Sequence, residues 1–369
     1  MLKTIISGLF LLLIYSCGSD DASPVLDEHV ALTTQDEVEA FAARGVIEIN
    51  GNVTIGDPQQ ISPSIRDLSP LSQLIKINGG LRICNNSELT SLAGLGGLTE
   101  INGDLLIKNN DDLQSVDGLD QLQKVGLNVI LSGNDGMGRI GGLATLDSIG
   151  HEIQIFNNSS LQAIDGFDAL DSLNRDIYIE LNDGLQEISG FNGMTFTNGG
   201  GLQVLNNEAL QRINGFQSLT SMNGGLRLFN NSALTSLEGF NSVLNLRFIE
   251  VKNNASLPDF NGLAALREIT NSMVIDENPG LTSLMGFNSL ESVGSSFNIV
   301  NNNALTSLNG LENLNSVRFT VSIIQNDALT DFCALRGLLR AGGPQRGVNL
   351  RDNGFNPELI QVSYGQCSQ

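Results

Sequence analysis

Tryptophan is absent from this 369-residue chain, and only three tyrosines are present. Sugar-binding platforms commonly stack saccharide rings on Trp or Tyr. Their scarcity tilts the reading slightly toward a protein or peptide ligand over a polysaccharide. Cations are also few: 19 Lys and Arg face 40 Asp and Glu, a net charge of −21. Such a surface repels nucleic acid and anionic membranes, so neither is an expected partner. There are two histidines, His29 and His151, and neither has a paired nucleophile. Asp-x-Asp calcium loops are missing, which leaves only weak divalent binding at scattered surface carboxylates. No apolar run is long enough for a membrane helix, neither the short one within the first sixteen residues nor any later segment.

What the chain does have is asparagine at a fixed spacing: Asn86, Asn110, Asn134, Asn158, Asn182, Asn207, Asn231, Asn254, Asn278, Asn302 and Asn326. The intervals are 24 residues except for one of 25 (Asn182 to Asn207) and one of 23 (Asn231 to Asn254). A period this regular marks one supersecondary unit stacked many times. One unit reads Leu81-x-Ile83-x-x-Asn86-x-x-Leu89-x-x-Leu92-x-Gly94-Leu95-x-x-Leu98-x-x-Ile101-x-Gly103. Leu81 and Ile83, two apart, share one face of a short strand. Asn86 falls where the strand bends away, and its amide is expected to bond unpaired backbone groups and its own copies above and below. Twelve copies, counting Asn353, point to a structural ladder.

Leu89, Leu92, Leu95, Leu98 and Ile101 are expected to fill the coil. The column of Leu95 carries Phe167, Phe191, Phe216, Phe240 and Phe287, read as a buried aromatic spine with a cofactor box as the rival. Glycine recurs at Gly94 and its copies, where positive φ or close approach between coils would call for it. None lies in a nucleotide-binding strand–turn–helix context. Thirteen strands, from Val53-x-Ile55 to Val348-x-Leu350, would make a sheet of about 58 Å at ~4.8 Å per strand.

The pattern Leu-x-Ile-x-x-Asn-x-x-Leu-x-Ser-Leu-x-Gly-Leu/Phe-x-x-Leu-x-x-Val resembles the receptor L domain repeat, a cousin of leucine-rich repeats, over about residues 46–369. It is similar above all to bacterial lipoprotein members. The resemblance implies a right-handed, mostly parallel β-solenoid that binds extracellular ligands. Cysteine-rich modules and any kinase or transmembrane segment of the receptor members are missing, so receptor-type signalling is not implied.

The amino terminus fits that address. Lys3 and the apolar run Ile5–Ile14 form a secretory signal over residues 1–16. Ile14-Tyr15-Ser16-Cys17 resembles a bacterial lipobox, which implies cleavage before Cys17 and acylation of that residue. Several acyl chains on one residue anchor stably. The rival is a secreted protein with a cysteine there by accident. Removal of Lys3 with the signal takes the charge to −22. Gly18-Ser19-Asp20-Asp21 resembles the acidic export tag of surface lipoproteins, so the outer membrane, cell-surface exposed, is the expected location. Residues 17–32 read as a flexible acidic tether. Thr34-Gln35-Asp36-Glu37 is a capping box, and Gly45 stands where a left-handed C-cap would be. A helix of about residues 35–44, within a segment 33–45, is expected to cover the open end of the solenoid.

The repeat solenoid is placed at 46–345 and a C-terminal cap at 346–369. Cys333 and Cys367 bracket the last coil and are expected to form a disulfide; a metal site is the rival, but no nearby histidine completes a ligand set. Cys84 is left over as a partly covered free thiol on the outward side of its strand.

Outward-facing strand residues vary from coil to coil, as a tailored surface would. Phe156, Tyr178, Leu205 and Phe229 fall on four neighbouring coils beside Arg227, a candidate ligand patch unless a loop or the N-terminal segment covers it. Arg227, Glu250, Lys252 and Asp276 form a second group. They read either as cross-strand ion pairs, Arg227–Glu250 and Lys252–Asp276, or as a lyase-like set with Lys252 or Arg227 as base. The ion-pair reading is taken, with no catalytic, metal or cofactor site. The expectation is a monomeric, non-enzymatic surface lipoprotein that binds an extracellular protein or glycan and touches the membrane only through its anchor. The alternatives are a carbohydrate-active enzyme or glycan-capture accessory, and an architectural envelope spacer.

Overall fold

The computed structural model describes residues 24–60 and 65–369. The signal segment and Cys17 lie outside them. The described chain winds as a leucine-rich-repeat-like parallel β-solenoid of about thirteen turns. Its long sheet begins with Val30–Leu32, Val53–Ile55 and Leu81–Cys84 and ends with Val321–Ile324 and Val348–Arg351. Its strands pair in parallel, with one register shift between Met222 and Gly225, so Leu81 aligns with Leu105, Leu105 with Val129 and Val129 with Ile153. Two-residue strands such as Lys76–Ile77 and Glu100–Ile101 pair on another face of each coil. A further row, Arg139–Ile140 to Arg212–Ile213, runs along a third face in the middle coils.

All thirteen expected strands form, and a fourteenth precedes them. Val30–Leu32 pairs with Val53–Ile55, and Val25–Leu26 pairs with Glu48–Ile49. Residues 24–32 are therefore a coil of the solenoid, not a flexible tether. His29 shares in this, its Nδ1 accepting the Asn52 amide at 2.8 Å. Helix α1, Gln35–Ala42, carries the full capping box with Thr34 and Glu37, and Gly45 is left-handed at φ 71°. It buries Val38 and Phe41. Gln35 accepts the backbone amides of Arg66 and Asp67 at 3.2 and 3.1 Å. The helix is thus bonded into the turn of the next coil.

Inside the coil the eleven ladder asparagines from Asn86 to Asn326 are fully buried. Asn110 shows the pattern. Its Nδ2 donates to Lys108 O two residues back (3.1 Å), to Ile83 O of the preceding coil (3.0 Å) and to Asn134 Oδ1 of the next (3.1 Å). Its own Oδ1 accepts the backbone amide and the side chain of Asn86, both at 3.1 Å. The column closes at Asn353, whose Oδ1 receives the Asn326 amide at 3.2 Å. Unpaired backbone groups buried away from water are costly, and one side chain per coil satisfies those left by the bend.

The phenylalanine spine is buried and stacked: Phe167–Phe191 and Phe191–Phe216 lie 4.8 Å apart, nearly parallel, and Phe216–Phe240 5.7 Å apart. The turn beside it needs one left-handed residue in many coils. Gly118 supplies it at φ 103°, whereas in other coils Phe167, Phe191 and Phe216 take it themselves at φ 66°, 65° and 58°. That conformation is strained for a bulky residue, and burial of a stacked ring is what offsets the strain. At Gly94 close approach rules, because a Cβ would lie 1.5 Å from Leu68 O.

At the carboxyl end Cys333 and Cys367 are joined by a disulfide with Cα atoms 4.9 Å apart. It ties the segment carrying helices α2, Arg336–Arg340, and α3, Leu359–Tyr364, to the last coil, where Asp331 bridges Ser368 in antiparallel fashion. Cys84 is free but buried, not partly covered. Burial pushes its thiol pKa up, against the pull of Arg82 and Lys108. Ser132, in the same outward column, is also buried. Both are short side chains flanking the long Lys108 in register.

Candidate ligand-binding face

Strand alternation decides what the long sheet shows to solvent. Ile153, Ile155, Ile177 and Ile179 point inward and are buried, so Gln154, Phe156, Tyr178 and Glu180 point out. Register then assembles two columns. Gln154, Tyr178, Gln203, Arg227 and Glu250 stand in one line; Phe156, Glu180, Leu205, Phe229 and Lys252 stand in the other. All ten are half-buried.

Phe156, Leu205 and Phe229 therefore share a column, interrupted by Glu180, with Tyr178 in the next. The described N-terminal residues are used in the first coil, several strands away, and do not cover this patch. A fifth apolar residue joins it: Leu181, 44% exposed. Leu181 occupies a left-handed position (φ 56°) that other coils fill with Asn85, Asn109, Asn157, Asn206, Asn230, Asn253 and Asn301. Asparagine adopts that conformation readily, whereas leucine is strained in it. Sequence reading missed both this second asparagine column and its break at Leu181. The signal was there, in the residue immediately before each ladder asparagine.

The polar side chains form a continuous chain across the coils. Tyr178 Oη donates to Asp176 Oδ2 at 2.8 Å, and Gln203 Nε2 donates to the same oxygen at 2.9 Å. Arg227 Nη1 donates to Gln203 Oε1 at 3.3 Å, and its Nε to Glu250 Oε2 at 2.8 Å. The Arg227 guanidinium also lies over the Phe248 ring, 4.7 Å from its centre. Burial, with the bond to Asp176 and the charges of Asp176 and Glu152, pushes the Tyr178 pKa up to about 12. The phenol stays a neutral donor at any physiological pH.

The second expected ion pair does not form. Lys252 instead lies over the Phe229 ring, its Nζ 5.6 Å from the centre. Asp276 accepts from Asn301 Nδ2 at 3.4 Å. A cation over an aromatic face keeps most of its hydration while gaining the attraction of the ring. At this half-exposed site that competes well with a surface ion pair worth little.

Next to Tyr178, at the start of these strands, the surface opens into a groove of about 610 Å³. His151, Glu152, Arg175 and Asp176 line it, and Gly199 and Gly200 form its bare wall. The 25-residue repeat, Asn182 to Asn207, supplies those glycines. Among the described residues no group of three or more His, Cys, Asp or Glu side chains could hold a metal ion, and no helix is long and apolar enough to cross a membrane.

No protein-family model matches the sequence, and no curated protein does. Among solved structures the chain is similar to a chain of the TLR13–ssRNA13 complex, at 14% identity and a TM-score of 0.35. The match covers 89% of this chain and 50% of that one, so this chain spans half of its length. At that level the similarity bears on no ligand or site, and the fold stands on the strand pairing described above.

Proposed function

We propose that this chain is a non-enzymatic surface lipoprotein of the receptor L domain type that binds an extracellular protein or glycan on its long sheet. The observation that carries the reading is a contrast along the repeat. Interior columns keep one residue type over many coils, whereas the outward columns change at every step and leave Phe156, Leu181, Leu205 and Phe229 uncovered by the described residues. Monomeric soluble proteins seldom leave such apolar groups together without use, and aromatic residues beside arginine dominate binding energy at many interfaces. Acylation at Cys17 and outer-membrane display follow from the lipobox-like sequence and the acidic residues after it. The lyase-like alternative finds no support in the second patch, because Arg227 is committed to Glu250 and Lys252 to a phenylalanine ring.

The test is capture of extracellular proteins and glycans by the full chain in detergent, compared with a Phe156→Asp, Phe229→Asp double variant. A shortened form starting at residue 33 would lack the first coil and is unsuitable. Capture reduced by about tenfold or more, with an unchanged melting curve, supports the reading. Equal capture by both proteins would remove the sheet patch from the function.

A further inference from the structure

We infer that the groove beside Tyr178 is a binding site for a neutral saccharide unit. The inference rests on the reading of the sheet as a ligand-binding face and names the ligand class for one part of it.

The groove exists because one repeat departs from the rest. Where the preceding coil carries Asn174-Arg175-Asp176, the 25-residue coil carries Asn198 followed by Gly199, Gly200 and Gly201. Two of these glycines are required by packing. A Cβ on Gly200 would lie 1.9 Å from the Arg175 carbonyl carbon, and one on Gly201 would lie 2.2 Å from Gly225 O. Gly199 is different. A Cβ there would meet only Asn174 O at 3.6 Å, an ordinary contact, and its φ is not left-handed. Nothing in the fold demands a glycine at 199, and its missing side chain keeps the groove open. Insertions in repeat proteins gather on the binding face, and about 610 Å³ falls within the roughly 300–1,000 Å³ typical of small-ligand sites.

The lining sets the chemistry. Glu152 and Asp176 each stand one residue before the aligned Ile153 and Ile177, so the two carboxylates occupy neighbouring rungs. Asp176 is held in place by Tyr178 and Gln203 on Oδ2 and by the Gly201 amide on Oδ1 at 2.6 Å. Glu152 Oε1 accepts from the side-chain Nε2 of Gln154. On the donor side, the Arg175 guanidinium and the His151 ring have no side-chain partner among the described residues, and both face the groove. One exposed cation beside two carboxylates makes the groove a poor site for an anion. The same cation makes it a poor site for a simple cation.

A neutral polyol fits this arrangement. Each sugar hydroxyl both donates and accepts, so adjacent hydroxyls can bridge a carboxylate and a guanidinium at once. The half-exposed Tyr178 ring offers an apolar face for the sugar C–H groups. Because its hydroxyl is tied to Asp176, the ring is oriented before the ligand arrives, which lowers the ordering cost of binding.

The experiment is calorimetric titration of the detergent-solubilised full chain with short neutral oligosaccharides from β-glucan, xylan and mannan, with alginate and polygalacturonate fragments as acidic counterparts. Two single variants are compared: Gly199→Trp, which fills the groove from a position where a side chain is tolerated, and Glu152→Gln, which keeps shape and removes charge. The expected result is binding of at least one neutral oligosaccharide, weakened about tenfold or more by each variant with the melting temperature held. Preference for the acidic fragments overturns the ligand class. Neutral binding that survives Gly199→Trp but is lost in Phe156→Asp overturns the groove while keeping the sheet as the binding face. Capture of a protein partner with no saccharide bound overturns the inference and leaves the binding function standing. Failure to bind either sugars or proteins overturns both.

Discussion

Asn158 and Asn182 are joined twice: the Asn158 backbone amide and its side-chain Nδ2 both donate to Asn182 Oδ1, each at 3.1 Å. The same Nδ2 also donates to Leu131 O and Phe156 O. Replacing Asn158 by leucine keeps the volume but strands the Leu131 and Phe156 carbonyls and takes the acceptor from the Asn134 backbone amide, while Asn182 Oδ1 keeps its bond from the backbone amide of residue 158. The expected loss is about 2–4 kcal/mol, from roughly 1–3 kcal/mol per unsatisfied buried group. Asn157→Ala, on the exposed column next door, is the control and should change stability by less than about 1 kcal/mol apart from its turn preference. Urea unfolding of the two variants checks the pair; equal losses would mean that the buried ladder is not what holds the bend.

Phe191 tests the spine. It sits between Phe167 and Phe216 with ring centres 4.8 Å away on each side, and it is fully buried. Phe191→Ala opens a cavity flanked by two rings and should cost about 3–5 kcal/mol. Part is returned because alanine is less crowded than phenylalanine at a left-handed φ of 65°. Phe191→Gly should therefore be no worse than Phe191→Ala, an inversion of the usual order in a core. Thermal unfolding of the two variants decides it, and a clearly less stable glycine variant would show that backbone strain at this turn is negligible.

The parts of the fold that could be read from the sequence are those in which one physical demand recurs in every coil. A buried bend needs its carbonyls satisfied, so Asn86 reappears every 24 residues; a tube needs filling, so Leu89 and Leu92 do too. The first coil escaped because Val25–Leu26 and Val30–Leu32 are short, lie among acidic and polar residues and lack a ladder asparagine. On the surface, demands do not repeat. Strand parity placed Phe156, Tyr178, Leu205, Arg227 and Phe229 on one face, but it could not choose between Asp276 and Phe229 as the neighbour of Lys252. Nor could it show that short side chains such as Cys84 would lie buried. The groove was marked by the 25-residue interval, whose meaning depends on where the extra residue sits in the coil.

The disulfide has a local effect that can be separated from global stability. Cys333 and Cys367 are 34 residues apart, and the loop between them holds α2 (Arg336–Arg340), the last strand and α3. Closing such a loop contributes about 2–4 kcal/mol. Contacts in a solenoid run only between neighbouring coils, so Cys333→Ala with Cys367→Ala should expose the amides of Val348–Arg351 and α3 to hydrogen exchange while leaving the central coils protected. Uniform loss of protection along the chain would show instead that the last coil is needed for the whole stack.

Acid should loosen the amino-terminal helix first, through Glu37. Hydrogen bonds from the Thr33 amide and hydroxyl, with those of Thr34, hold its carboxylate below the ordinary glutamate value against a small effect of burial. The Thr33 amide lies 2.6 Å from Glu37 Oε2. A folded-state pKa below the unfolded one means that the group adds stability above the unfolded value and loses it as pH falls through the folded value. In Glu37→Gln the charge-assisted part is gone at every pH. The wild type should thus hold α1 better than the variant at pH 7, and the difference should shrink steadily below the usual glutamate range. Hydrogen exchange of the α1 amides, followed for both proteins from neutral pH downward, measures this directly; a difference that stays constant into strong acid would mean that the capping box contributes through shape and not through charge.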